Sequence, residues 1–116
     1  AALDGHSLAV YHAMPHGLVD GLRREVEPDG FVDTEEVMPK KRDALAAHES
    51  QHSWLEASQG MNSYLAAMEE MSLELGRRSR RFKHAEAWRR RSHLGFSPND
   101  YDPLAAELGD AYCPRA

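Results

Sequence analysis

A long helix-favouring stretch occupies the middle of the chain and leaves little sequence for strands. Pro39 suits the first turn of a helix, because the backbone there does not need an amide proton. No further proline or glycine follows until Gly60, so we expect the helix to run to about Ser58 and to end at Gly60. The centre of the chain therefore predicts helix rather than strand.

A second helix and several short strands are predicted around the first helix. The second helix is expected to begin at Asn62 or Ser63, to run to about Leu75 and to end at Gly76. Further along, Asp102-Pro103 opens a short last helix that Gly109 ends. The predicted strands are Ser7–Met14, Phe31–Val32 and Ala85–Trp88. This pattern predicts an α/β chain with few strands and two main helices.

Length and composition limit the class of protein. A chain of 116 residues is one domain at most, or a piece of one, and 41% hydrophobic with 28% charged residues is typical of a globular chain. No apolar run reaches the roughly eighteen residues that cross a bilayer, so no membrane partner is expected. The single cysteine, Cys113, cannot form an internal disulfide, which favours a reducing, cytoplasmic location.

The predicted first helix contains an H-E-x-x-H sequence at residues 48–52. His48 and His52 lie four residues apart, so one helix face could present both imidazoles to a zinc ion, with Glu49 as general base. The third ligand, a glutamate about twenty residues later in thermolysin-type enzymes, is replaced by Ser72. The same spacing fits a core-facing stripe from Leu45 to Leu55. A small zinc metalloprotease is therefore one open hypothesis.

Positive charge is concentrated in the segment Arg77–Arg91, which we call the basic cluster. It contains eight of the fourteen basic residues and one acid, Glu86, while the rest of the chain has six basic and eighteen acidic residues. Phe82 and Trp88 could stack on bases, so one hypothesis is a non-enzymatic module that binds polyanions. The alternative is a solvated surface whose arginines pair with acidic helices. The absence of a recognisable nucleic-acid module favours this alternative.

Four sequence blocks, in order, are similar to one known family. They are AVYHAMPHGL at Ala9–Leu18, the block Lys41–Gln51 with its alanine-histidine-x-serine-glutamine signature, QGMNSYLAAMEEM at Gln59–Met71, and HAEAWRRR at His84–Arg91 followed by HLGFSPNDYDPLAAELG at His93–Gly109. Together they resemble the C-terminal half of a bacterial PIG-L/LmbE-type N-acetylglucosaminyl deacetylase. Residues 1–116 would then be a single partial domain that lacks the zinc-binding N-terminal half.

The resemblance implies a Rossmann-like α/β domain that carries one zinc ion in the full-length enzyme. The implied reaction is the hydrolysis of an N-acetyl group from an amino-sugar substrate. In the family, zinc ligands and base come from an alanine-histidine-proline-aspartate-aspartate motif and a histidine-proline-x-histidine motif. This chain has neither motif, so no catalytic or metal residue is carried over. We expect the chain alone to bind no zinc and to be inactive.

Five residues are candidates for a substrate pocket or its support. His48, Ser50 and Gln51 match the family signature, and would either orient active-site loops or bond to backbone and hold the helix on the sheet. His12 and His16 lie at a predicted strand end and its exit loop, where α/β folds gather ligand contacts, although loop histidines are also commonly solvated.

Two expectations concern packing and partners. Glu86 has apolar neighbours, so it is a candidate buried acid that would need arginine or backbone partners. A chain with one or two strands cannot pair its strand edges by itself. We therefore expect the isolated chain to be poorly folded, or to associate with the N-terminal half of the same protein or with copies of itself.

Overall fold

The computed structural model describes residues 8–47 and 60–115, which form an α/β fold with a four-stranded antiparallel sheet. The strands are β1 (Tyr11–Ala13), β2 (Gly30–Asp33), β3 (Ala85–Arg90) and β4 (Tyr112–Pro114). The α-helices are α1 (Met38–Ala46), α2 (Gly60–Ser79) and α3 (Pro103–Leu108), and short 3-10 turns lie at His16–Leu18, Glu35–Val37 and Gly109–Ala111. The predicted α/β class is confirmed.

The strand order is β1-β3-β2-β4, so β3 has a neighbour on each side. In the β1–β3 pair Tyr11 lies opposite Arg90, and in the β2–β4 pair Phe31 lies opposite Cys113. Three strands fall where the sequence predicts them. The fourth, β4, was not predicted, because three residues ending in proline carry no alternating pattern.

The second long helix continues past its predicted end. Gly76 lies inside α2, which ends at Ser79, so the predicted stop at Gly76 is wrong. A Cβ atom at Gly76 would lie 2.1 Å from the carbonyl oxygen of Lys83, so glycine is needed there for close backbone packing. The Ser79 hydroxyl accepts hydrogen bonds from the amides of Arg81 and Phe82, which satisfies backbone groups beyond the helix end.

The starts of α1 and α3 agree with the sequence, whereas Gly60, the predicted end of the first helix, is the first residue of α2, ahead of the predicted start at Asn62 or Ser63. Pro39 lies in the first turn of α1, as predicted, and the expected extension to Ser58 lies outside the described residues. Asp102 caps α3 by accepting a hydrogen bond from the Ala105 amide, and Gly109 follows at a φ of 52°. The predicted last helix is confirmed.

The chain divides into two compact units, each with its own buried residues. The first unit comprises the described residues up to Val32 and those from Ala87 onward, and the second extends from Asp33 to Glu86. Buried residues include Leu18, Phe31, Ala87 and Tyr112 in the first unit, and Met38, Ser72, Leu75 and Ala85 in the second. No helix in the described part of the chain is long and apolar enough to cross a membrane.

Replacing Gly76 with alanine should destabilise the protein. The new methyl group would collide with the Lys83 carbonyl, and this strain should outweigh the gain in helix propensity by about 1–3 kcal/mol. Urea unfolding followed by circular dichroism measures the loss. Gly21→Ala is the matched control, because nothing lies within 4 Å of a Cβ there. Equal stability of the two variants would refute the close approach.

Candidate functional site

A group of polar side chains lies between the elements of the second unit, and we call it the His84 cluster. Its members come from the turn before α1, from α1 and α2, and from β3 with the residue before it: Glu35, Lys41, Arg42, Glu69, Ser72, His84 and Glu86. Glu69 and Ser72 are three residues apart on α2, which places them on one helix face. Two helices and a strand therefore contribute to one polar site.

Two ion pairs hold α1 in this cluster. The Lys41 Nζ atom lies 3.0 Å from a carboxylate oxygen of Glu86 and donates to the Ser72 hydroxyl at 3.3 Å. The next residue, Arg42, donates to the carboxylate of Glu69. Because these side chains are partly exposed, each pair stabilises the fold by at most about 1 kcal/mol. The predicted burial of Glu86 is wrong: its side chain is 39% exposed, and its partner is a lysine.

His84 is the buried member of the cluster, with its side chain only 7% exposed. Its Nδ1 atom lies 3.8 Å from Glu35 and its Nε2 atom 3.7 Å from Glu69, which is too long for hydrogen bonds. Neither ring nitrogen has a hydrogen-bond partner in the part of the chain that the structure describes. A buried polar atom without a partner costs about 1–3 kcal/mol. His84 belongs to the fourth sequence block, but nothing in that block indicated that its side chain would be buried between two carboxylates.

The contacts of the His84 cluster connect the helices and the strand of the second unit. Its lysine and arginine are each paired with a carboxylate, and the Ser72 hydroxyl is bound by Lys41. The two nitrogens of His84 face two different carboxylates, so no three ligands converge. Among residues 8–47 and 60–115, no group of three His, Cys, Asp or Glu side chains could bind a metal ion. The described residues therefore do not fit the zinc ion that the family resemblance implies.

The predicted pocket residues are only partly described. His12 lies exposed in β1, and His16 lies exposed in the turn that follows, where Gly17 has a φ of 78°. The signature residues His48, Ser50 and Gln51, and the H-E-x-x-H residues Glu49 and His52, lie outside the described residues.

A second polar group, in the first unit, ties β1 to the start of α3. The Tyr11 hydroxyl donates to a carboxylate oxygen of Asp102 and accepts from the Leu104 amide at 3.3 Å. Burial, followed by the hydrogen bond to Asp102, raises the pKa of Tyr11 to about 12. Arg90 reinforces the group, with its Nε atom 3.6 Å from Asp102 and an Nη atom 2.6 Å from Asp100.

Much of the basic cluster is paired with acids. Arg77 and Arg78 both bind Glu74, the latter at 3.0 Å. Lys83 lies 3.8 Å from Glu35, and Arg90 pairs with Asp100 as described above. These ion pairs partly neutralise the basic cluster. They favour the hypothesis of a solvated surface whose arginines pair with acids of the same chain over the hypothesis of a polyanion-binding module.

Comparisons of this chain with protein-family models, with curated proteins and with solved structures give no match. The resemblance to the deacetylase family therefore rests on the four sequence blocks. The chemistry of the site rests on its own residues.

Replacing His84 with leucine should leave stability unchanged or raise it by up to about 1 kcal/mol, because two buried unsatisfied nitrogens are removed. Urea unfolding at neutral pH measures the change. Leu75→Ala, at another buried position of the same unit, should cost about 2–5 kcal/mol and shows that the assay responds to core damage. A loss of more than about 2 kcal/mol for His84→Leu would mean that the imidazole bonds with its carboxylate neighbours.

The raised pKa of Tyr11 predicts a loss of stability at alkaline pH. The unfolded chain loses this proton near pH 10.0 and the folded chain only near pH 12, so rising pH favours unfolding across that window. Tyr11→Phe should flatten this part of the stability curve, measured by urea unfolding at a series of alkaline pH values. Tyr101→Phe, at an exposed position, is the control. Identical alkaline slopes for wild type and Tyr11→Phe would contradict the assignment.

Proposed function

We propose that this chain is the C-terminal part of a zinc-dependent hydrolase of the PIG-L/LmbE type, which removes an N-acetyl group from an amino sugar. In this proposal the chain belongs to a Rossmann-like domain and contributes neither zinc ligand nor base. Those groups come from the N-terminal half of the same protein. The proposed role of this chain is to support the substrate pocket.

The observation that supports the proposal is that blocks of the resemblance contact one another. The strand of the first block, β1, pairs with the strand of the fourth block, β3. Lys41 of the second block binds Glu86 of the fourth at 3.0 Å, and Arg42 of the second block binds Glu69 of the third. Segments far apart in sequence are therefore connected through the residues on which the resemblance depends.

The ion pairs of α1 suggest how the chain supports a pocket. Lys41 and Arg42 fix α1 against Glu86 and Glu69, and the chain reaches the signature residue His48 two residues after the end of α1 at Ala46. A fixed helix would limit the positions that the signature residues can take. Under the proposal, these residues orient active-site loops or the acyl end of the substrate.

The zinc content of this chain, with and without the N-terminal half, tests the proposal. We expect no bound zinc and no acetate release from N-acetylglucosamine conjugates for the chain alone, because it lacks both zinc motifs of the family. With the N-terminal half present, we expect one zinc per protein and acetate release. Elemental analysis and an acetate assay give the two readouts.

Single alanine variants at His48 and His52 distinguish the competing hypothesis. Under the proposal, both variants of the longer protein keep their zinc, and His48→Ala lowers the rate of acetate release. Equimolar zinc on the chain alone, lost in both variants, would instead support the H-E-x-x-H metalloprotease.

A further inference from the structure

Three consecutive arginines lie at the end of β3: Arg89 and Arg90 are its last two residues, and Arg91 follows. The alternation of side chains along a strand places them on different faces of the sheet. Successive residues point to opposite faces, so Arg89 and Arg91 share one face and Arg90 points to the other. On its face, Arg90 pairs with Asp100. In the described part of the chain, no carboxylate pairs with Arg89 or Arg91. Within residues 8–47 and 60–115, the run of three arginines therefore contains one cation paired with a carboxylate and two that are not.

Arg89 is the less exposed of these two cations and lacks compensation. Arg89 is half-buried, and its Nε atom is shielded from solvent and has no hydrogen-bond partner among the described residues. A guanidinium group is always charged and carries five donors in a planar fork. Shielding such a group from water is unfavourable unless an acceptor meets it. No acceptor for this donor lies among the described residues.

The neighbouring strand places a second donor beside Arg89. His12 of β1 is the direct partner of Arg89 in the antiparallel register, and its side chain is exposed. Directly opposed residues project to the same face with about 5 Å between their Cβ atoms. The pairing extends one step further, because the Arg91 amide donates to the Val10 carbonyl at 2.9 Å. This bond places Arg91 opposite Val10, one position beyond the pair that Arg90 forms with Tyr11.

We propose that His12, Arg89 and Arg91 form a binding site, the Arg89 site, for a small oxyanion: a carboxylate or a phosphate group. The arginine fork matches two oxygens of either anion, and the imidazole supplies a further donor. The Arg91 guanidinium lies 5.0 Å from the centre of the Phe96 ring, a stacking contact that limits the positions it can take. This inference does not rest on the proposed function.

A small ligand fits this site better than a polyanion. Nucleic acids are held by many phosphate contacts along a continuous basic surface. Here four further basic residues of the basic cluster pair with acids: Arg77, Arg78, Lys83 and Arg90. The net charge of −5 also opposes the approach of a polyanion. Three adjacent side chains match the size of one carboxylate or phosphate.

Nuclear magnetic resonance titration of the whole 116-residue chain tests the site. Sodium phosphate and sodium acetate are added separately, at neutral pH and at constant ionic strength maintained with sodium chloride. We expect a saturable shift of the Arg89 Nε–H resonance and of the His12 amide with at least one anion in the millimolar range. The stronger of the two responses identifies phosphate or carboxylate as the preferred group. Shifts that do not saturate with either anion would overturn the proposal.

Three variants separate specific binding from charge screening. Arg89→Gln should weaken binding about tenfold or more, since the fork supplies the charge-assisted hydrogen bonds. Arg89→Lys keeps the charge but loses the fork, and should weaken binding by less. Lys40→Gln removes one exposed charge from α1 and should leave the affinity unchanged. Equal weakening by Arg89→Gln and Lys40→Gln would overturn the proposal.

Thermal unfolding keeps the proposal testable if Arg89→Gln folds poorly. The preferred anion should raise the unfolding temperature of the wild type and of Lys40→Gln, but not that of Arg89→Met, whose apolar side chain needs no counterion. An equal increase in Arg89→Met would overturn the assignment. Binding of single-stranded DNA to the chain is measured last, over a series of salt concentrations. If the affinity falls steeply with salt and is unchanged in Arg89→Gln, the basic cluster binds polyanions and the proposal is overturned.

Discussion

Much of the fold depends on the register of the central strand β3. It pairs with β1 on one side and lies next to β2 on the other, so its register fixes both neighbours. A shift by one residue would exchange its two faces. Arg90 would then lose Asp100 and Asp102, and the buried Ala87 would be exposed. The same register that builds the sheet thereby decides which arginines are paired.

The second unit depends on a close backbone contact and on paired charges. Gly76 lets α2 approach the backbone of Lys83 closely. Lys83 lies two residues before the start of β3. Lys41 and Arg42 then connect α1 to Glu86 and Glu69. The half-exposed pairs add little free energy, but each gives α1 a defined partner. His84 is the exception in this unit, because its burial is not matched by hydrogen bonds.

Sequence reasoning located elements better than contacts. Pro39, the Asp102-Pro103 pair and Gly109 identified helix ends correctly, because capping acts over only a few residues. Gly76 misled the prediction, since a glycine that ends a helix and one that permits close packing look alike in sequence. The apolar neighbours of Glu86 suggested burial, yet the partner that holds it, Lys41, lies 45 positions earlier in the chain. The sequence block that contains His84 did not indicate that this histidine would be buried.

The sequence alone determined the start of α1, both ends of α3, the position of three strands and the concentration of basic residues, because each depends on neighbouring residues or on composition. It also carried the four blocks that resemble a deacetylase family. Tertiary structure decided which charges are neutralised and which are not. Arg89, Arg90 and Arg91 are adjacent residues of the same type. Only the alternation of side chains along the strand and the acids near Arg90 distinguish them. Pairing of distant side chains depends on register and packing, which no local pattern encodes.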